Sequence, residues 1–260
     1  MQRLGLEQRY VYGPVRSRRL GWSLGVNISP TAVKHCSFGC IYCERGLTRV
    51  FYGSPQDRPE YMPPTSEILE EIRTGLERER AAGRQLDAIT FAGNGEPTDH
   101  PDFGEITVET RRLRDQLMPR ARMALLSNAR HVQSARIRDV ISQFDIRCLK
   151  LDAGEESLWR RIDVPFGVTL DEVVAGIAKI SGVTIQSMFI TGKVDNATEA
   201  AVGALIERLR FIRPIEIQVY TLDREPPLSG VRPVDGERLR EIAARIQRET
   251  GTPAIAYGGE

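Results

Sequence analysis

Three of the four cysteines of this chain lie within eight residues, in the stretch Cys36-Ser37-Phe38-Gly39-Cys40-Ile41-Tyr42-Cys43. Neither helix packing nor strand packing requires cysteines at this spacing. Thiolates gathered on one loop are the ligands that an iron–sulfur cluster or a thiophilic metal needs. A closed zinc site takes four ligands, whereas three cysteines can bind three irons of a [4Fe–4S] cluster and leave the fourth iron open. The stretch therefore predicts a metal centre with an open position. The alternative is a zinc site completed by His35 or Cys148.

The composition limits the classes of protein and partner. The chain has 260 residues, of which 41% are apolar and 27% charged, and its net charge is +1. This is the composition of a soluble globular protein, and it provides no strong field that would attract nucleic acid or a membrane surface. We find no signal peptide and no apolar run of the roughly 18 residues that a membrane span requires. Because thiolates must stay reduced to bind iron, we expect a cytoplasmic protein.

Beyond the cysteine stretch, short apolar runs alternate with segments of helical periodicity. The predicted strands cover residues 24–29, 86–92, 121–127, 147–152, 183–190 and 215–221, with 253–257 as a candidate extra strand. The predicted helices cover residues 65–82, 104–117, 133–143, 155–161, 170–180, 198–211 and 235–250. Thr65-Ser66-Glu67 is predicted to cap the first of them. Apolar strands that are each followed by a helix indicate a parallel sheet buried on both faces.

The expected fold class is therefore α/β. Right-handed crossovers curl such a sheet into a barrel, and six strand–helix units are fewer than the eight of a closed barrel. We predict a partial (β/α)6 TIM-like barrel with a parallel sheet, in a single domain over residues 1–260. Residues 1–22 are expected to form an N-terminal extension or lid, and residues 23–225 the barrel core. Residues 226–260 are expected to form a C-terminal helix and the candidate extra strand.

Ligands of parallel α/β sheets bind at the carboxyl ends of the strands, where this chain carries several polar residues. The second predicted strand is followed by Gly93-Asn94-Gly95-Glu96-Pro97. Its two glycines would let the main chain approach a ligand, and its glutamate could receive an ammonium group. A tight turn without a ligand is the alternative. The third strand ends at Ser127 and Asn128, which are also common turn and capping residues.

The fourth and sixth predicted strands add charged groups. Strand alternation places Cys148, Lys150 and Asp152 on one face. If that face lines the barrel, Lys150 and Asp152 point at the site, either as catalytic groups or as a pair that neutralises itself. Cys148 is interpreted as a small core residue. Arg224 follows the sixth strand, where its guanidinium suits a carboxylate or phosphate of the substrate. A surface salt bridge with Asp223 or Glu225 is the alternative.

The spacing of the cysteines, with Tyr42 just before the last of them, resembles the signature loop of the radical S-adenosylmethionine (SAM) enzymes. Gly95-Glu96-Pro97 resembles the Gly-Gly-Glu-Pro motif of the same enzymes. The resemblance implies that a [4Fe–4S] cluster is bound by Cys36, Cys40 and Cys43. It also implies that SAM chelates the open iron through its amino and carboxylate groups.

The same resemblance implies further contacts to SAM. The residues concerned are Tyr42, Gly93, Asn94, Gly95, Glu96, Pro97, Ser127, Asn128, Phe189 and Ile190. Segment 93–97 would hold the SAM amino group, and Ser127 and Asn128 would contact the ribose or the carboxylate. Phe189 or Ile190 would pack on the adenine, with ordinary core packing as the alternative.

Three longer segments, residues 12–45, 91–103 and 217–227, resemble the wyosine-base-synthesis-like iron–sulfur oxidoreductases more specifically. The first of them carries the pattern of that group as Gly13-Pro14-Val15, Ser17-Arg18-Arg19-Leu20-Gly21 and Ser23-Leu24-Gly25. The wyosine enzyme that modifies a guanosine of tRNA has a second cysteine-bound cluster and a Schiff-base lysine. Here Cys148 is the one cysteine left over, which is too few for a second cluster. The basic charge of a tRNA-binding protein is missing as well, so tRNA modification has little support.

The expected function is that of a radical SAM enzyme. The resemblance implies that the reduced cluster cleaves SAM to methionine and a 5′-deoxyadenosyl radical, which abstracts hydrogen from an unidentified substrate. Lys150, Asp152 and Arg224 are the candidate catalytic residues. The substrate is expected to be a small molecule or a protein, and a reductant such as flavodoxin or ferredoxin to supply the electron. The alternatives are an activase or maturase that acts on a protein partner, a tRNA-base-modifying enzyme and a zinc-stabilised binding module.

Overall fold

The structure is a computed structural model that describes residues 4–54, 57 and 59–259. The strands are β1 (Val11–Ser17), β2 (Gly21–Val26), β3 (His35–Cys36), β4 (Val50–Phe51), β5 (Ala88–Phe91), β6 (Arg122–Ser127), β7 (Ile146–Lys150), β8 (Val183–Met188), β9 (Ile190–Gly192), β10 (Glu216–Tyr220), β11 (Val231–Pro233) and β12 (Ala254–Tyr257). The helices are α1 (Thr65–Ala81), α2 (Phe103–Leu117), α3 (Ala135–Ile141), α4 (Glu156–Asp163), α5 (Leu170–Ile177), α6 (Glu199–Ile212) and α7 (Gly236–Thr250). Strands and helices alternate as the sequence predicts.

One large sheet organises the part of the chain that the structure describes. It contains eight strands in the order β1-β2-β5-β6-β7-β8-β10-β12. The strands from β2 to β12 run parallel, whereas β1 pairs antiparallel with β2. The prediction of an α/β fold with a parallel sheet is confirmed, and the candidate extra strand is present as β12. Because β1 and β12 are the two ends of this order, the barrel is partial.

Two predicted details are wrong. The first helix has Pro64 at its N-cap and no side-chain capping bond, so Thr65-Ser66-Glu67 is not a cap. The Thr65 hydroxyl donates instead to Asp102 Oδ2 (2.8 Å) and makes no hydrogen bond to the first turn of the helix. The strand predicted over residues 183–190 ends at Met188, because the chain turns there and β9 pairs with β11 in a separate sheet.

The N-terminal extension contributes a strand to the main sheet. β1 lies within residues 1–22, and its Tyr12 ring covers Gly25 on β2. A Cβ atom at Gly25 would lie 2.1 Å from that ring, so the glycine is what allows the aromatic side chain to cross the strand pair. The Tyr12 hydroxyl donates to the Ala92 carbonyl (3.0 Å) at the end of β5. This strand therefore supports the edge of the barrel directly.

The two faces of the parallel strands meet different surroundings. One face packs on the helices in the main hydrophobic core, which includes Leu24 and Phe91 from the strands. On the other face, Leu20 packs with Ala88 and Ala124 in a small separate cluster. That inner face also carries polar side chains, since Gln186 Nε2 donates to Gln218 Oε1 (2.8 Å). A polar interior is suited to a ligand rather than to a dry core.

The turn between β1 and β2 lies against the opposite edge of the sheet. Arg18 in this turn forms an ion pair with Asp223, which follows β10. The Arg19 guanidinium carbon lies 5.0 Å from the ring centre of Tyr220 and 6.0 Å from that of Tyr257. These tyrosines end β10 and β12 and pair with each other across the two strands. The turn therefore covers the opening that the partial barrel leaves.

Candidate active site

A cavity of about 380 Å³ lies at the carboxyl ends of the strands, within the size range of small-molecule sites. Its lining brings together residues of the cysteine loop and of the ends of β5, β6 and β7. Those that the sequence predicts are Cys36, Cys40, Tyr42, Cys43, Gly93, Asn94, Gly95, Glu96, Ser127, Asn128 and Lys150. Residues more than 100 positions apart in the chain thus meet in one cavity, as the carboxyl-end rule for parallel sheets requires.

Main-chain hydrogen bonds fix the cysteine loop against the last turn of α4. The Gly39 amide donates to the Asp163 carbonyl (3.1 Å), and the Ile41 amide donates to the carbonyl one residue earlier (2.9 Å). The Tyr42 hydroxyl donates to the buried carboxylate of Asp152. Both ends of the loop's central segment are therefore tied to the barrel, which holds its thiols at the cavity wall.

The three thiols of the loop are the kind of donor set that an iron–sulfur cluster takes. All three are free and line the cavity. Across the residues that the structure describes, no three His, Cys, Asp or Glu side chains are placed to hold one ion. The fourth zinc ligands considered above are also engaged elsewhere: His35 Nε2 contacts Asp57 Oδ1 (2.6 Å), and Cys148 is buried outside the cavity lining. A cluster takes one thiolate for each of three irons, so the donor set fits it.

Two lysines bring positive charge to the cysteine loop. Lys150 Nζ donates to Cys40 Sγ (2.7 Å), and the buried Lys34 donates to the Gly46 carbonyl (2.6 Å) while lining the same cavity. Burial raises the pKa of the Cys36 thiol to about 12, and binding of a metal to this sulfur would displace its proton. The lysines offset the negative charge that thiolate ligands bring.

Lys150 is the centre of a buried charge network. Its ammonium contacts Asp163 and lies 3.3 Å from Asp152 Oδ2, and both aspartates are fully buried. Burial alone would lower the pKa of Lys150, but Asp163, Cys40 and Asp152 outweigh that effect and hold the pKa well above its usual range. The pairing of Lys150 with Asp152, stated above as an alternative, fits this arrangement. Asp163 was not anticipated, because nothing in the pattern of α4 marks its last residue as facing a strand.

The Glu96 carboxylate joins the ends of β5 and β6. Its Oε1 accepts from the Thr98 hydroxyl (2.6 Å) and the Ser127 hydroxyl (2.7 Å). Its Oε2 accepts from the main-chain amide of Asn128 (2.6 Å). Burial raises the pKa of Glu96, Asp99 adds to that effect, and the donors oppose it. A carboxylate oxygen has two lone pairs, so Oε2 can still accept from a ligand ammonium.

Asn94 connects the same turn to the N-terminal segment. Its side-chain amide donates to the carbonyls of Glu7 and Pro30 (both 2.9 Å) and accepts from the Glu7 amide (2.7 Å). The side chain thus satisfies its hydrogen-bonding groups within the protein. In this position Asn94 forms part of the cavity wall. The groups of this turn that remain for a ligand are its main chain and the Glu96 carboxylate.

The two glycines of this turn are required by close approach of the protein's own chain. A Cβ atom at Gly93 would lie 2.1 Å from Asn27 Oδ1, and one at Gly95 would lie 2.0 Å from the His35 carbonyl oxygen. The sequence interpretation explains both glycines by the approach of a ligand, with a tight turn without a ligand as the alternative. The structure shows that they bring the turn against the segment that leads into the cysteine loop.

Gly95→Ala is expected to lower the free energy of unfolding by about 1–3 kcal/mol, because the new methyl group overlaps a main-chain oxygen that cannot move aside. Thermal denaturation measures this. The matched control is Gly104→Ala in α2, where a Cβ would lie 3.4 Å from Val140. The control should leave stability unchanged or raise it by up to about 1 kcal/mol. Equal effects of the two substitutions would contradict the packing assigned to Gly95.

Some predicted site residues lie outside the cavity lining: Pro97, Asp152, Phe189, Ile190 and Arg224. Phe189 and Ile190 are at most 1% exposed and belong to the main core. The physical reason is that β8 turns its alternate residues inward only as far as its end at Met188. Met188 is therefore the apolar residue that this strand contributes to the cavity. Alternate residues of β8 face the interior of the barrel, and this alternation is the signal that could have identified Met188.

Arg224 is at the rim, with its guanidinium Nε 3.3 Å from Glu44 Oε2. Its side chain is 45% exposed, so this pair contributes little to stability. The alternative for Arg224 is a salt bridge to Asp223 or Glu225, whereas the structure pairs it with Glu44 at the end of the cysteine loop. The aspartate beside it, Asp223, lines the cavity instead.

None of the helices in the described chain combines the length and the apolar character that crossing a membrane requires.

Comparison with known proteins identifies the family of this chain. The family model of the Radical SAM superfamily matches residues 32–226. A UPF0026 protein of Synechocystis sp. is 31% identical over 269 residues, which cover 94% of this chain and 94% of that protein. The solved structure of a radical SAM methyltransferase from Sphaerobacter thermophilus matches with a TM-score of 0.62 and 20% identity, over 90% of this chain and 65% of that chain.

TYW1 with a lysine-pyruvate adduct bound matches with a TM-score of 0.58 and 15% identity, over 87% of this chain and 73% of that chain. At these identities the two structures show a shared fold, and the chain spans about two thirds of the methyltransferase. The family match and the Synechocystis relative cover most of the chain. This chain belongs to the radical SAM superfamily of enzymes.

Proposed function

We propose that Cys36, Cys40 and Cys43 bind a [4Fe–4S] cluster, and that the adjoining cavity binds SAM beside the substrate. When bound, the cluster and SAM together supply a 5′-deoxyadenosyl radical, which abstracts hydrogen from a substrate carbon. One observation supports this above all others. The three thiols line the same cavity as the turn at 93–96 and the strand end at Ser127 and Asn128.

The turn and the strand end are suited to the polar groups of SAM. Glu96 Oε2 and the main-chain carbonyls at 93–95 can accept from its ammonium group. Asn128 Nδ2 lies 3.1 Å from Ser37 Oγ and 3.9 Å from Cys36 Sγ, which puts an amide donor between the loop and the strand end. Met188 and Leu126 line the cavity and offer apolar surface to the adenine. We assign the adenine contact to Met188 in place of Phe189 and Ile190.

Lys150 and Asp152 position the cysteine loop in this proposal. Lys150 holds Cys40 through its ammonium, and Asp152 holds Tyr42 through the tyrosine hydroxyl. Asp152 also accepts from the Met188 amide (2.8 Å), so it links the loop to β8. Thiols held in place in this way would need less reorganisation to bind a cluster at the cavity wall.

The proposed reaction requires two partners, an electron donor and a substrate. An external one-electron reductant such as flavodoxin or ferredoxin is needed, and the substrate is a small molecule or a protein group that reaches the cavity. Free cysteines at the cavity wall are compatible with iron only in a reducing compartment, which supports the cytoplasm.

Metal and sulfide analysis of the anaerobically reconstituted protein tests this proposal. We expect a brown protein with about four irons and about four sulfides per chain, because three cysteines and one open iron complete a cubic cluster. Dithionite should bleach its visible absorbance. A colourless protein that binds one zinc ion and no sulfide would overturn the proposal and favour a zinc-stabilised binding module.

A further inference from the structure

Arg19 is a cavity-lining cation whose hydrogen-bonding capacity is not used within the described chain. Its Nη1 atom is buried and has no hydrogen-bond partner among the described residues. A buried guanidinium N–H without an acceptor is costly, and such groups are usually satisfied by a ligand, an ion or an ordered water. Arg19 lines the cavity, so a molecule held in the cavity meets this side chain.

The other arginines around the cavity mouth already have carboxylate partners. The pairs are Arg18–Asp223, Arg224–Glu44 (3.3 Å) and Arg45–Glu7 (3.8 Å). Each of these pairs cancels its own charge locally. No ion pair of Arg19 is present in the part of the chain that the structure describes. The Glu44 carboxylate is close enough to interact with the charge of Arg19, but its ion pair is with Arg224.

Two tyrosines hold the Arg19 guanidinium in place. Its central carbon lies 5.0 Å from the ring centre of Tyr220 and 6.0 Å from that of Tyr257, as in cation–π contacts. Stacking on aromatic rings orients the planar fork of donors while leaving its edge available for an oxyanion. A guanidinium fixed in this way loses less entropy on binding a ligand than a free arginine would.

Arg19 lies on a different side of the cavity from the residues assigned to the polar groups of SAM. Those residues come from the cysteine loop and from the ends of β5 and β6, whereas Arg19 packs on the ends of β10 and β12, beyond the Met188 that is assigned to the adenine. In the sheet order, β7 and β8 separate these two sets of strands. An anion at Arg19 therefore belongs to the molecule beside SAM and not to the SAM carboxylate.

We propose that Arg19 binds an oxyanion of the substrate, a carboxylate or a phosphate, and so selects an anionic substrate. This inference rests on the proposed function, because it takes the second molecule in the cavity to be the substrate. The bond is a charge-assisted fork of N–H donors to two oxygens, a geometry that arginine forms with both anions. Tyr220 and Tyr257 act through Arg19 by orienting it.

Isothermal titration of the cluster-loaded protein with SAM present tests this inference, in one arm with inorganic phosphate and in the other with acetate, at constant ionic strength. We compare the wild type with Arg19→Gln and with Arg16→Gln. Arg16 is an exposed arginine of β1 that does not line the cavity. Arg19→Gln should weaken binding of the preferred anion at least about tenfold, since it loses the charge and the fork. Arg16→Gln should bind like the wild type.

The arm in which wild-type binding is stronger identifies the anion as phosphate or carboxylate. If Arg19→Gln does not yield folded protein, Arg19→Lys replaces it, and the loss of the planar fork should still weaken binding severalfold. Equal binding by the wild type and the Arg19 variant, equal losses in the Arg19 and Arg16 variants, or no binding of either anion by the wild type overturns the inference. Failure to assemble a cluster is measured separately by iron and sulfide content and counts against the proposed function instead.

Discussion

A variant with alanine at Cys36, Cys40 and Cys43 is expected to lose the whole iron–sulfur cluster and all cleavage of SAM. Each thiolate would bind a different iron of the cluster, and no other cysteine lines the cavity to replace them. Iron and sulfide content after anaerobic reconstitution measures the first loss, and chromatography of 5′-deoxyadenosine measures the second. Both signals should fall to the level of a protein-free control.

Cys148→Ala is the matched control for this prediction. Cys148 is 1% exposed and lies on β7, outside the lining of the cavity. Removing its sulfur creates a small cavity that costs about 1 kcal/mol of stability, without touching the metal site. The control should keep full iron and sulfide content. Cluster retained by the triple variant, or lost from the control, would show that the thiols have been assigned wrongly.

Lys150→Met is expected to lower the free energy of unfolding by about 3–5 kcal/mol, because it leaves the carboxylates of Asp152 and Asp163 buried without their shared cation. For a chain of this size such a loss corresponds to a fall in melting temperature of roughly 10 °C. Thermal unfolding followed by circular dichroism measures it. We also expect weaker cluster retention, since Lys150 supports Cys40.

Two further variants separate charge burial from a general effect of losing a lysine. Lys179 is exposed at the end of α5, so Lys179→Met should change stability by no more than about 0.5 kcal/mol. Adding Asp163→Asn to Lys150→Met removes one of the stranded charges and should restore part of the lost stability. If the double variant is less stable than Lys150→Met alone, the network is not held together by the charges assigned to it.

The alternation of strands with helices along the chain predicted the parallel sheet. Each strand is apolar along its length, as burial on both faces requires. The same argument identified the cavity end of the barrel, since it depends only on strand direction. Cys36, Glu96, Asn128 and Lys150 meet there although the sequence separates them widely. Glu96, Asn128 and Lys150 could be predicted because each lies in or shortly after a strand that the periodicity reveals, and Cys36 could be predicted from the spacing of the cysteines.

The partners of these residues could not be predicted in the same way. Asp163 reaches Lys150 only because the last turn of α4 packs against the cysteine loop, which is a tertiary contact without a local pattern. Phe189 and Ile190 continue the apolar run of β8, and nothing in their composition shows that the strand stops at Met188. Arg19 belongs to the Ser17-Arg18-Arg19-Leu20-Gly21 motif, but the motif does not show that the turn between β1 and β2 reaches Tyr220 at the end of β10.

The glycines of the turn after β5 illustrate a further limit. Their presence predicted a tight turn near a ligand, and the turn is there. The atoms that forbid a side chain, Asn27 Oδ1 and the His35 carbonyl oxygen, belong to distant parts of the chain and become neighbours only in the fold. The glycines therefore indicate that the chain has no room for a side chain at these positions, but they do not identify the neighbouring atoms.

The most direct test of the central proposal is whether the reduced protein cleaves SAM. Wild-type protein with a full complement of iron and sulfide is mixed anaerobically with SAM and dithionite, and the products are quantified by chromatography and mass spectrometry. The cluster assigned to Cys36, Cys40 and Cys43 predicts 5′-deoxyadenosine and methionine in equal amounts. A fully loaded protein that forms neither product under these conditions would contradict the account.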